Sequence, residues 1–226
     1  MGEAVSLTSA SDGFAFGAYR AAPPDARRGG LVLIQEIFGV TDHIRELADG
    51  FAADGYETLA PSLFDRQQPG FEAGYDAPGV ARGRTLSEAA PWGEVAGDLA
   101  AAVAALAPPV FVAGYCWGGA ATWLAACRCE GVAAASSFYG RRIVELLGET
   151  PRCPIILHFG RRDSTIPSAT VEAIAAAYPE IPIHLYDAGH GFVSDRRPDH
   201  DSDSARLARL RTLQVFARNG GGRGDI

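Results

Sequence analysis

The sequence predicts an α/β fold in which a mostly parallel central sheet is covered by helices on both faces. Three observations predict it. Short apolar runs rich in β-branched residues, such as Leu31-Val32-Leu33-Ile34, alternate along the chain with segments whose apolar residues recur at helical spacing. Such alternation requires crossover connections, and these bury both faces of the sheet. Of the 226 residues, 47% are hydrophobic and 21% charged, the balance of a globular chain and not of a disordered or fibrous one. No internal repeat or low-complexity tract interrupts the alternation, so the chain reads as a single domain over residues 1–226.

Taken in order, Phe14 to Tyr19 reads as an early strand and Leu31 to Ile34 as a buried one. Asp42 opens a helix that carries Ile44, Leu47, Ala48 and Phe51 on one face, with Gly55 where a C-terminal cap belongs. Thr58 to Ala60 follows as a strand before Pro61. Residues 65–93 are rich in Gly and Pro and poor in aliphatics, and they read as a long irregular loop, a length usually reserved for functional segments. A helix from about Gly93 to Ala107 leads into the strand Val110 to Ala113, a tight turn at Gly114 to Gly119 and a helix through Ala126. Strands at Ala133 to Tyr139, Ile155 to Phe159 and Ile183 to Tyr186 bracket helices at Val144 to Leu147 and Thr170 to Ala177, and a last helix runs from Ser204 to Ala217. Ligands of such a sheet bind at the carboxyl ends of its strands.

Composition excludes several functions. The net charge is −7 and the basic residues are scattered, which argues against a nucleic-acid surface and for a small-molecule partner. All twenty basic residues are Arg, so neither a Schiff-base lysine nor a P-loop lysine is available. The longest apolar run, Leu99 to Ala107, ends at Pro108-Pro109, well short of the ~20 residues of a membrane helix. The N-terminus has neither the basic head nor the apolar centre of a secretion signal. The expectation is a cytoplasmic protein without membrane contact, a monomer or weak homodimer. Met1-Gly2 with Ser6, and Arg223-Gly224-Asp225, match myristoylation and adhesion patterns that are too short to exceed chance. Cys116, Cys127, Cys129 and Cys153 are too sparse for a disulfide scaffold. Cys127 and Cys129 lack the CxxC spacing and neighbouring ligands of a structural zinc site, and no metal or cofactor is expected.

The chemistry concentrates in Val110-Phe111-Val112-Ala113-Gly114-Tyr115-Cys116-Trp117-Gly118-Gly119, which reads strand, sharp turn, helix. This is the G-x-C-x-G setting of a nucleophile elbow, where small flanking residues let strand and helix approach closely enough to project the central side chain. A helix N-terminus there favours a thiolate. In this architecture the acid and the base follow the nucleophile in chain order. Asp163 lies just past the strand Ile155 to Phe159, 47 residues after Cys116, and His190 lies in the loop after the next strand, 27 residues further on. The other histidines fit less well: His158 and His184 fall inside strands, His43 opens a helix where simple exposure is expected, and His200 sits in a local acidic run.

These residues carry a resemblance to the dienelactone hydrolase (carboxymethylenebutenolidase) family of the α/β-hydrolase superfamily. It rests on Gln35-Glu36-Ile37-Phe38-Gly39, the elbow at 114–119, Phe138-Tyr139-Gly140, Gly160 to Asp163 with Ile166-Pro167, and Ala188-Gly189-His190-Gly191-Phe192. The resemblance implies a cysteine hydrolase of lactones or esters, with Cys116 as nucleophile, His190 as base, Asp163 as its orienter and Glu36 close to the thiol. It also implies an oxyanion hole from the backbone N–H groups of Ile37 and Trp117. The chain departs from the family where a Ser follows the His and an Arg comes four positions after it: here stand Gly191 and Ser194. Arg196, Arg197, Arg82 and Arg84 are the candidates to replace that anion clamp; without one, the alternative is an esterase or thioesterase-like relative acting on a substrate other than dienelactone. A non-catalytic relative and a thiol redox protein are the readings from other classes, and no resolving Cys is placed beside Cys116 for the latter.

Overall fold

The computed structural model describes residues 2–222, so the Arg223-Gly224-Asp225 tripeptide lies outside the described residues. One eight-stranded sheet organises the chain: β1 (Glu3–Thr8), β2 (Ala15–Ala21), β3 (Gly29–Ile34), β4 (Tyr56–Pro61), β5 (Val110–Tyr115), β6 (Val132–Phe138), β7 (Ile155–Gly160) and β8 (Ile183–Tyr186). Its spatial order is β1-β2-β4-β3-β5-β6-β7-β8; β2 pairs antiparallel with both β1 and β4, and every pairing from β4–β3 onward is parallel. The central strands β3 and β5 are buried at every residue, as a strand covered on both sides must be.

Six helices cover it: α1 (Asp42–Ala53), α2 (Ala77–Ala89), α3 (Trp92–Ala104), α4 (Trp117–Arg128), α5 (Ser168–Ala177) and α6 (Ser202–Phe216). Two adjacent hydroxyls on β6 show that the helices lie on opposite faces. Ser136 is hydrogen-bonded to Thr212 of α6 at 2.7 Å, whereas Ser137 donates to the Gly119 carbonyl of α4 at 2.8 Å, and successive strand residues point to opposite sides. Ser136 also meets His158, whose other ring nitrogen lies 2.8 Å from the Tyr186 hydroxyl, so this buried histidine is a satisfied core residue.

Four features depart from the sequence reading. Residues 65–93 contain the helix α2. Asp76 caps it by accepting from the Gly79 N–H, Pro78 enters its first turn, and Gly83 packs where a Cβ would come within 2.1 Å of the Ile37 carbonyl oxygen. The glycines that read as breakers thus permit close approach to the loop after β3. Strand β1 pairs along the outer edge of β2 and half exposes its residues, which leaves no long apolar run to announce it. His43 is buried on α1, covered by Tyr75 and by the segment around Asp195 from far along the chain. The Val144 to Leu147 helix is a 3-10 turn over Arg141–Leu146.

Candidate active site

Cys116 stands between β5 and α4 with φ +57° and ψ −115°, a strained backbone for a residue with a side chain. Its own N–H donates to the Phe138 carbonyl, and its carbonyl accepts from Gly119, which pins the turn to the neighbouring strand. Gly118 makes the geometry possible, since a Cβ there would lie 2.3 Å from the Gln35 carbonyl oxygen.

The loops after β5, β7 and β8 converge on this turn. His190 Nε2 lies 3.2 Å from Cys116 Sγ, and His190 Nδ1 lies 2.7 Å from Asp163 Oδ2. The second oxygen of Asp163 accepts from the Thr165 N–H and hydroxyl, each at 2.8 Å, and from the Ile166 N–H at 3.0 Å. Burial works to raise the Asp163 pKa, but the hydrogen bond and charge of His190 together with these donors win and hold it low. For His190 burial disfavours the charged ring, yet the Cys116 charge and Asp163 outweigh it and lift the pKa to about 10. The arrangement therefore favours the protonated, charged ring of His190 beside Cys116.

The surrounding pocket has a volume of about 390 Å³ and is lined by Ile37 and Trp117 next to Cys116 and His190. The Trp117 N–H is in the first turn of α4, where the helix itself offers no acceptor. The Trp117 indole is clamped: Phe64 packs at 4.8 Å, Trp92 stacks at 5.8 Å with an 11° interplanar angle, and the Arg142 guanidinium caps Trp92 at 4.7 Å. Arg142 is itself held by Glu145 and by the Ser87 carbonyl, and Glu145 accepts from the Trp92 indole N–H. Thr165 and this Arg142 brace escaped the sequence reading. An Asp followed two residues later by a Thr is the local signature of an Asx-type turn and could have exposed the former.

Glu36 is not among the residues that line the pocket. It is almost fully buried, neither carboxylate oxygen has a hydrogen-bond partner among the described residues, and Arg197 approaches to 4.0 Å. Burial drives its pKa up, against the opposing charges of Arg197 and His190. The buried Tyr139 hydroxyl is likewise unpartnered, and its ring packs 5.0 Å from His190.

Among the four candidate arginines, Arg197 and Arg84 line the pocket, joined by Arg141 and Arg142. Arg196 is engaged by Glu46 and Asp195, and Arg82 stacks over Phe71. Gly191, with φ +74° and no Cβ, leaves room that the Arg197 side chain fills, its Cδ lying 2.6 Å from where a Cβ would stand. Cys127 and Cys129 are buried near the end of α4, and among the described residues no group of three or more His, Cys, Asp or Glu is gathered for a metal. None of their helices is long and apolar enough to cross a membrane.

Residues 16–220 match the Dienelactone hydrolase family. The carboxymethylenebutenolidase of Pseudomonas sp. strain P51 is 32% identical over 223 residues, covering 92% of each chain. A provisionally assigned carboxymethylenebutenolidase of Synechocystis sp. is 34% identical over 208 residues, covering 82% of this chain and 84% of its own. The crystal structure of a provisionally assigned dienelactone hydrolase from Klebsiella pneumoniae superposes with a TM-score of 0.83 at 29% identity, covering 96% of this chain and 99% of the other.

Proposed function

Because the chain belongs to the dienelactone hydrolase family and is a lactone or ester hydrolase, we propose that it works through Cys116, His190 and Asp163, with Glu36 in support. The observation that carries this reading is the continuous contact from Cys116 Sγ through His190 to a fully hydrogen-bonded Asp163. The Cys116 thiolate attacks the carbonyl carbon, and the N–H groups of Trp117 and Ile37 receive the developing oxyanion. His190 gives its Nε2 proton to the leaving oxygen as the C–O bond breaks, which leaves a thioester and a neutral ring. The neutral ring then takes a proton from water, hydroxide adds to the thioester, and the C–S bond breaks to restore thiolate and imidazolium. Asp163 fixes the ring tautomer throughout. Where Cys116 rests as a thiol, the Glu36 carboxylate takes the Sγ proton and becomes the neutral acid that burial favours, leaving the attacking thiolate, and it returns the proton when the thiolate is released at the end of the cycle.

The substrate we propose carries a carboxylate. Arg84, Arg141 and Arg197 face the pocket in addition to Arg142, which Glu145 already engages. A planar guanidinium orients a carboxylate as well as binding it. The test compares wild type with Cys116→Ala on p-nitrophenyl acetate, a neutral lactone, and cis- and trans-dienelactone. Dienelactone turnover that vanishes in the variant is expected. Turnover of neutral esters alone would retain the nucleophile and reject the anionic substrate, and full activity in Cys116→Ala would reject the nucleophile.

A further inference from the structure

A second cleft, with a volume of about 520 Å³, opens at the end of the sheet opposite Cys116, where β7 and β8 begin. Its floor is apolar, formed by Ile155, Ile156, Ile181 and Val215, and its rim carries Pro151, Pro154 and Pro182. Proline fixes its own φ, so three prolines make a rim whose shape exists before any ligand arrives. One wall is the last part of α6 and the turn beyond it, which bring Arg211 and Arg218 to the cleft. Seven residues apart, they share one helical face about two turns from each other.

These two arginines differ from their neighbours. On the same helix Arg206 pairs with Asp203 and Arg209 pairs with Asp54, whereas neither Arg211 nor Arg218 has a carboxylate within ion-pair distance among the described residues. Arg211 is held over the Tyr186 ring at 5.3 Å, so its guanidinium is positioned without an ion-pair partner among the described residues. In a chain of net charge −7, two guanidiniums that have no carboxylate partner among the described residues, above an apolar floor, form a local site of opposite sign. The one acid at the cleft, Glu180, is on the separate wall between α5 and β8 and disfavours a second negative charge there.

We propose that this cleft binds a small monocarboxylate with a compact apolar body, its carboxylate between Arg211 and Arg218 and its body on the isoleucine floor. The site is independent of the hydrolytic reading, since it shares no residue with the Cys116 pocket. Most small-molecule sites combine such an apolar lining with a few converging polar groups.

The probe is 2-naphthoate, titrated into the full chain while methyl NMR signals of Ile155, Ile156 and Val215 are followed. Saturable shifts at these methyls are expected, with the dissociation constant at least about tenfold weaker in Arg211→Ala/Arg218→Ala. Hydrolysis by that double variant should equal wild type, and naphthoate binding to the cleft should survive Arg84→Ala. Three results would overturn the proposal: no saturable shift at the cleft methyls, equal affinity in the double variant with a native methyl spectrum, or shifts confined to residues around Cys116. Should the double variant fail to fold, Arg211→Gln and Arg218→Gln made singly must each weaken binding, and unchanged affinity in both rejects the site.

Discussion

Asp163 and Glu36 are two buried carboxylates at the carboxyl ends of parallel strands, and the protein treats them in opposite ways. Asp163 accepts hydrogen bonds from His190, Thr165 and Ile166, and its pKa is held low. Glu36 has no hydrogen-bond partner on either oxygen among the described residues, and burial raises its pKa. Depth alone does not separate them. Donors aimed at the charged form stabilise it, whereas desolvation without donors favours the neutral acid. A carboxylate fixed as an anion suits the task of orienting His190, and one that gains or loses a proton readily suits exchange with a thiol.

Isosteric amides sharpen this contrast. Asp163→Asn should lower kcat about 10²- to 10⁴-fold, because the amide presents the wrong partner to His190 and upsets its tautomer. Glu36→Gln should cost about tenfold and move the acid limb of the kcat/KM profile to lower pH, since the group with the raised pKa is gone. Equal losses and unchanged pH limbs in the two variants, measured by steady-state kinetics across pH, would break the distinction.

A smaller effect is expected where the site is braced at a distance. Arg142→Ala removes the cap on Trp92 and loosens the stack that holds Trp117. A cation–π contact contributes about 1 kcal/mol, so kcat should fall roughly fivefold with KM nearly constant. A rise in KM alone would mean that Arg142 contacts substrate and does not act through Trp117.

The smallest effect on activity, and one felt in stability, comes from His43. Burial lowers its pKa to about 4 from 6.5, so folding holds the ring neutral. As pH falls below 6.5 the unfolded chain protonates first, and about 3 kcal/mol of stability is lost by the time pH passes 4. Denaturant unfolding of His43→Gln should show a flatter decline over that window while hydrolysis at neutral pH persists, and an identical decline would remove His43 from the account.

The parts of the molecule legible in the sequence are those set by local pattern. The elbow at Cys116 is announced by an apolar strand, a glycine-flanked turn and a helix, all contiguous, and Asp163 and His190 each follow an apolar strand directly. What stayed hidden depends on segments distant in the chain. Gly83 looked like a helix breaker until the Ile37 carbonyl beside it appeared. His43 looked exposed because its cover comes from Tyr75 and the segment at Asp195. Arg197 was one of four candidate arginines, and only the space beside Gly191 and the approach to Glu36 select it for the pocket.

The central claim is that the substrate's acyl group passes through Cys116. Mixing the enzyme with p-nitrophenyl butyrate, quenching with acid within the first turnovers and mapping the acyl group by peptide mass spectrometry tests it directly. The account predicts a thioester on the peptide containing Cys116, absent after Cys116→Ala. An acyl group on any other residue, or steady hydrolysis by Cys116→Ala at the wild-type rate, would contradict it.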